Sequence, residues 1–129
     1  MDCGARRILV VDDDPVTALA HRNRLTRAGY HAEIAKDGLT CLERLPLYQP
    51  HALLLDLQMP QLSGLEVIKR IRAFQELREL PIFVFTSSPI HEVLDDCLKA
   101  GARQVFEKWN LTSALLLEHL ETALSEDKS

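Results

Sequence analysis

The sequence predicts a doubly wound α/β domain: five short parallel strands in one sheet, with helices packed on both faces. Three observations predict it. Short apolar runs alternate with helix-period segments five times within 129 residues. Two of those runs, RILVV and HALLLD, are continuously apolar before their ends rather than alternating, as strands buried on both faces are. Four of the five runs also finish on polar side chains: Asp12 with Asp13, Asp56, Thr86 and Lys108. In open parallel sheets the ligand site lies beyond the carboxyl ends of the strands.

RILVV is the first strand. Asp14-Pro15 reads as a helix N-cap followed by proline at the first helical position, where a missing N–H costs nothing. That helix is expected to reach about Ala28, with Gly29 as its stop. HAEIA is a weaker second strand. DGLTCLERL is a short helix, expected to end at Pro46, which cannot donate the backbone bond. HALLLD is the third strand. SGLEVIKRIRAFQEL is a helix with Leu65, Ile68 and Ile71 on one face. PIFVFT is the fourth strand. In HEVLDDCLKAG, Ile90, Val93, Leu94 and Cys97 follow i, i+3, i+4, i+7, and Gly101 is the stop. QVFEK is the fifth strand. NLTSALLLEHLETAL closes the chain, with Asn110 as the expected N-cap and Leu116, Leu120 and Leu124 on one stripe. Right-handed crossovers join five such βα units into a single sheet.

One domain over residues 1–129 is expected, with its core between about 7 and 124. A hydrophobic fraction of 47% and a charged fraction of 26% are ordinary for a folded globule. The net charge of -4 provides no basic field to draw in nucleic acid or an anionic membrane. No apolar run is long enough to cross a bilayer, and MDCGARR carries no apolar signal core, so a cytoplasmic protein is expected. Cys3, Cys41 and Cys97 form no CxxC pair, which argues against a disulfide framework or a zinc site. Cys41 and Cys97 fall at apolar helical positions and are expected to fill the core.

The chemistry gathers at the strand ends. Carboxylates in one crevice raise each other's pKa unless a cation compensates. Hard carboxylate oxygens suit Mg2+, which keeps several waters and binds through a few carboxylates plus a phosphate. Lys108 and the hydroxyl of Thr86 would add a charge and a donor for phosphoryl oxygens. Asp14 belongs instead to the helix start, and Met59-Pro60 with Gly64 shape the loop after Asp56. His21 shares a side with Ala18, Leu25 and Ala28 and reads as a packed histidine.

ILVVDDDP, LLLDLQMPQLSG, FVFTSS and FEK, in this order and spacing, resemble the receiver domain of two-component response regulators. The resemblance covers about Arg7 to Ala123 and implies a flavodoxin-like (βα)5 fold with strand order 2-1-3-4-5. It implies that Asp56 accepts a phosphoryl group from a phosphohistidine on a sensor histidine kinase or histidine phosphotransfer protein. Asp13, Asp56 and the backbone carbonyl of Gln58 would ligate Mg2+, for which Mn2+ could substitute, with Asp12 helping indirectly. Thr86 and Lys108 would hold the phosphoryl group. Such a module is a regulator rather than an enzyme, limited to its own phosphotransfer and slow autodephosphorylation. It would act on a downstream protein through the face of the fourth helix, fifth strand and last helix, with no direct contact to nucleic acid or membrane. No output domain is expected in this chain.

Two positions depart from the family pattern. Trp109 stands where proline commonly follows the lysine, so a trans Lys108-Trp109 bond is expected, since a cis bond to a non-proline residue costs roughly 2.5–4 kcal/mol. Trp109 is expected either to face the site or a partner, or to pack. Val105 stands where an aromatic switch residue is usual, so the output is expected to run by another route; Phe106 points to the opposite face. Three alternatives compete. A haloacid-dehalogenase-like phosphatase would use Asp12 and Asp14 as its D-x-D, but the acidic pair expected after its lysine is missing. A flavodoxin-type FMN module is opposed by three aspartates where a phosphate loop is needed. A receiver that works by contact alone, without phosphorylation, is opposed by the complete acidic set.

Overall fold

A computed structural model of the chain describes residues 5–125. Cys3 and residues 126–129 lie outside the described residues. The strands are β1 (Arg7–Val11), β2 (His31–Ala35), β3 (Ala52–Asp56), β4 (Ile82–Thr86) and β5 (Gln104–Glu107), all parallel, in the order β2-β1-β3-β4-β5. The helices are α1 (Pro15–Arg27), α2 (Gly38–Tyr48), α3 (Gly64–Arg72), α4 (Ile90–Ala100) and α5 (Ser113–Ser125). This is the flavodoxin-like arrangement expected. The strand order reverses between β1 and β3, so their carboxyl ends flank the crevice where such sheets bind ligands.

Alternation along the strands divides the core in two. Leu9, Val11, Leu53, Leu55, Ile82 and Val84 face α2, α3 and α4. Ile8, Val10, Leu54, Phe83 and Phe85 face α1 and α5. Every residue of β3 and β4 is buried, which explains their unbroken apolar character. Cys41 and Cys97 are buried free thiols in the first of these clusters. Burial pushes the Cys41 thiol up to about 12, so it has no reactive thiolate at neutral pH.

Asp14 caps α1 as expected, accepting from the Val16 N–H with Pro15 behind it at the first helical position. Four boundaries differ from the sequence reading. α2 runs through Pro46 to Tyr48: the proline forfeits the backbone bond its N–H would have made, and the burial of Leu45 and Tyr48 carries the helix past it. α3 stops at Arg72, whose guanidinium donates to the carbonyls of Leu77, Leu80 and Gly101 and fastens the chain as it turns back. Its buried face is Val67, Ile68 and Ile71, with Leu65 only partly covered. β5 ends at Glu107, and Lys108 opens a 3-10 turn, Lys108–Asn110. Asn110 is not the cap of α5; its Nδ2 donates to Glu107, and the hydroxyl of Thr112 accepts from the Leu115 N–H instead.

Among the described residues no helix is long and apolar enough to cross a membrane. No peptide bond is cis there, so Lys108-Trp109 is trans.

Gly64 sets the loop after β3. A Cβ at this position would lie 2.6 Å from the Asp56 carbonyl oxygen and 2.8 Å from the Leu57 Cα, both backbone atoms. Gly64→Ala should therefore cost about 1–3 kcal/mol through forced backbone displacement. Chemical denaturation of the two proteins checks it, and an unchanged midpoint would show that the loop yields freely.

Candidate functional site

The turn after β1 carries the first two acids. The Asp12 N–H donates to the Ala35 carbonyl at 3.1 Å, which continues the β1–β2 ladder one residue past the strand and holds Asp12 inward. Asp12 is 2% exposed, whereas Asp13 is open to solvent. Asp56 ends β3 and is 1% exposed. Carboxylate oxygens of Asp12, Asp13 and Asp56 all lie within 4.8 Å of one another. Asp14 is outside this group: its two oxygens take the Val16 N–H and the Thr17 hydroxyl, which keep its carboxyl below the usual range. That occupation breaks the D-x-D pair a phosphatase would need.

Burial and mutual repulsion act on the acidic pair. Burial, then the Asp56 charge, pushes Asp12 up to about 6, against the opposing bond from the Asp14 N–H. Burial also raises Asp56, although Lys108 and the Gln58 N–H pull it the other way. The Lys108 Nζ sits 3.2 Å from Asp56 Oδ1, and the Gln58 N–H donates to the same oxygen at 3.1 Å. The same ammonium lies 5.5 Å from the centre of the Phe85 ring, which steadies it over an apolar floor. Asp12 Oδ2 is buried with no hydrogen-bond partner. A cluster of hard oxygens with one orphaned and two pushed toward protonation fits a divalent cation.

Thr86 is brought to the same edge but is turned to different partners. It is fully buried at the end of β4, and its Oγ1 accepts from Gln58 Nε2 at 2.8 Å and the Ser88 N–H at 3.0 Å. The Gln58 side chain also donates to Ser88 Oγ, while its Oε1 accepts from the Ser87 N–H and hydroxyl. One amide thus joins the loop after β3 to the loop after β4. Sequence reasoning named Gln58 only for its carbonyl. It missed the side chain because a rotamer 28 or more residues from its partners leaves no local signal.

Trp109, next in sequence to Lys108, is 61% exposed, so it does not pack into the core. Val105 is buried toward α4 and Phe106 lies on the other face, as the alternation required. His21 is buried against the Phe85 ring, centroids 4.9 Å apart, and burial lowers its pKa to about 4. It is a neutral packed histidine.

Residues 8–121 match the family described as the response regulator receiver domain, and the chain belongs to that family. It is 44% identical over 81 residues to the response regulator MprA of Mycobacterium ulcerans, a match covering 63% of this chain and 34% of that protein. The chain therefore spans about a third of the length of the curated relatives it matches. A CheY-like receiver domain protein from Methanospirillum hungatei superposes with a TM-score of 0.86 at 25% identity, covering 95% of this chain and 96% of that one. The receiver domain of a sensor histidine kinase from Pseudomonas aeruginosa, described with a magnesium ion coordinated in its active-site cleft, gives a TM-score of 0.85 at 26% identity over 95% and 99% of the two chains.

The sign of the Asp12 shift yields a stability prediction. The folded-state pKa lies near 6, above the usual value of 3.8, so the folded protein holds the extra proton and loses stability as pH rises through that window. Asp12→Asn removes the loss and should stabilise the cation-free protein by about 1–3 kcal/mol at pH 7, and by much less at pH 4. Thermal melts at the two pH values in chelator check it; equal gains at both would sever the effect from the carboxylate charge.

Proposed function

We propose that the chain is a phosphoacceptor module of a two-component pathway. Asp56 accepts a phosphoryl group from a phosphohistidine on a sensor kinase or histidine phosphotransfer protein. The observation that carries this reading is the unpartnered, buried Asp12 oxygen beside Asp56. A purely structural strand end would neutralise or pair such an oxygen rather than leave it orphaned next to a second acid. The magnesium in the Pseudomonas aeruginosa receiver and the family membership support the same assignment.

Asp13, Asp56 and the Gln58 carbonyl would hold Mg2+ or Mn2+, with Asp12 assisting through its free oxygen; the ion, when bound, offsets the repulsion between carboxylate and incoming dianion. In the transfer, an Asp56 carboxylate oxygen bonds to phosphorus as the phosphorus–nitrogen bond breaks, and the donor imidazole keeps the electron pair. The product is an acyl phosphate. Lys108, already held 3.2 Å from Asp56 Oδ1, neutralises charge on the new group without first having to move into reach. Thr86 supplies its hydroxyl once Gln58 releases it. Hydrolysis of the acyl phosphate returns the resting state, so the module switches rather than turns over an external substrate. Its downstream partner is a protein that reads the surface of α4, β5 and α5.

Acetyl phosphate with Mg2+, followed by intact mass, should give one phosphate adduct on the wild type and none on Asp56→Asn. Lys108→Ala should slow its formation at least about tenfold, the loss typical of one positioned electrostatic contact. Chelation should abolish it. An adduct that survives in Asp56→Asn would move the chemistry elsewhere, and none under any phosphohistidine donor would leave a contact-only receiver.

A further inference from the structure

The start of α4 is held in an unusual way. Its N-cap position is Pro89, which has no side-chain acceptor for the first free N–H groups of the helix. The cap comes instead from β5: Glu107 Oε2 accepts the Ile90 N–H at 2.9 Å, across 17 residues of sequence. The other oxygen, Oε1, accepts Asn110 Nδ2 at 2.9 Å. One carboxylate therefore ties the turn that carries Lys108 to the first turn of α4. The negative charge also suits the positive end of the helix.

Two further facts give this strap a purpose. Glu107 is paired with Thr86 in the β4–β5 register and is followed directly by Lys108. Both residues proposed to hold a phosphoryl group are thus its immediate neighbours. α4 itself is thinly anchored: Cys97 is its one fully buried residue, with Ile90, Val93 and Leu94 only partly covered. Val105, buried in the core, offers no aromatic side chain to swing between two positions.

We propose that Glu107 couples the state of Asp56 to α4, its carboxylate being bound to the helix start in the resting protein and released when the site is loaded. This rests on the phosphoacceptor reading of Asp56. Loading draws Thr86, the register partner of Glu107, toward the added group, while Lys108 stays at Asp56. The Glu107 carboxylate beside Thr86 is drawn off the Ile90 N–H, and the first turn of α4 is freed. A strap with two discrete arrangements is the bistable element that such coupling needs.

The test is amide exchange by NMR at Ile90 and through the first turn of α4, on the full 129-residue chain. Beryllofluoride with Mg2+ serves as the phosphoryl mimic. In the wild type the mimic should speed exchange there about fivefold, the loss expected for one helix cap. In Glu107→Ala exchange should be fast already and unchanged by the mimic, although the mimic still binds. Glu107→Gln keeps an acceptor oxygen and should recover part of the response; it also carries the comparison if the alanine variant folds poorly. A full wild-type response in both variants at saturating mimic overturns the coupling and leaves the phosphoacceptor reading intact. Failure of the wild type to bind the mimic or take a phosphate adduct overturns both.

Discussion

The structure depends on the burial of two carboxyl groups, Asp12 and Asp56, at the point where the strand order reverses. Folding brings them together because β1 and β3 are neighbours in register, with Val11 beside Leu55. Neither can turn to water, since each is almost wholly covered. Their mutual repulsion is met on one side by Lys108 and backbone N–H groups, and on the other it is not met at all. A fold chosen for stability alone would replace one acid with an apolar residue. The surrounding architecture exists to keep that imbalance in place: Gly64 lets the following loop approach the strand end, and the apolar sheet behind supplies a rigid floor.

Much of this was legible in the sequence, for identifiable reasons. Asp56 stands out because a charge closing the run ALLL contradicts the burial of everything before it. Asp14 could be separated from its neighbours because Pro15 marks a helix start with its own demand for an acceptor. The two-layer core followed from alternation, which also placed Val105 and Phe106 on opposite faces. These are local or periodic signals, and they survive in one dimension.

What escaped the sequence depends on contacts between distant residues. Pro46 reads as a stop because its backbone chemistry is local, yet the burial of Leu45 and Tyr48 carries α2 past it. The end of α3 is set by carbonyls that Arg72 gathers from Leu77, Leu80 and Gly101. Asn110 had the chemistry of a cap but its amide was taken by Glu107, and Thr112 filled the role. Pro89 offers the start of α4 no side-chain acceptor, and nothing in one dimension shows that Glu107 supplies one. The Gln58 side chain is similar: its identity is visible, and its four hydrogen-bond partners are visible only in three dimensions.

The exposure of Trp109 has a practical consequence. It is the only tryptophan in the chain, so the indole emission of this protein comes from a single place, one residue from Lys108. The residue stands 61% open to solvent on the 3-10 turn that Glu107 and Asn110 close. Where a proline would have been spectroscopically silent, this chain carries its own fluorescent probe next in sequence to the lysine that pairs with Asp56, readable in real time with no label attached.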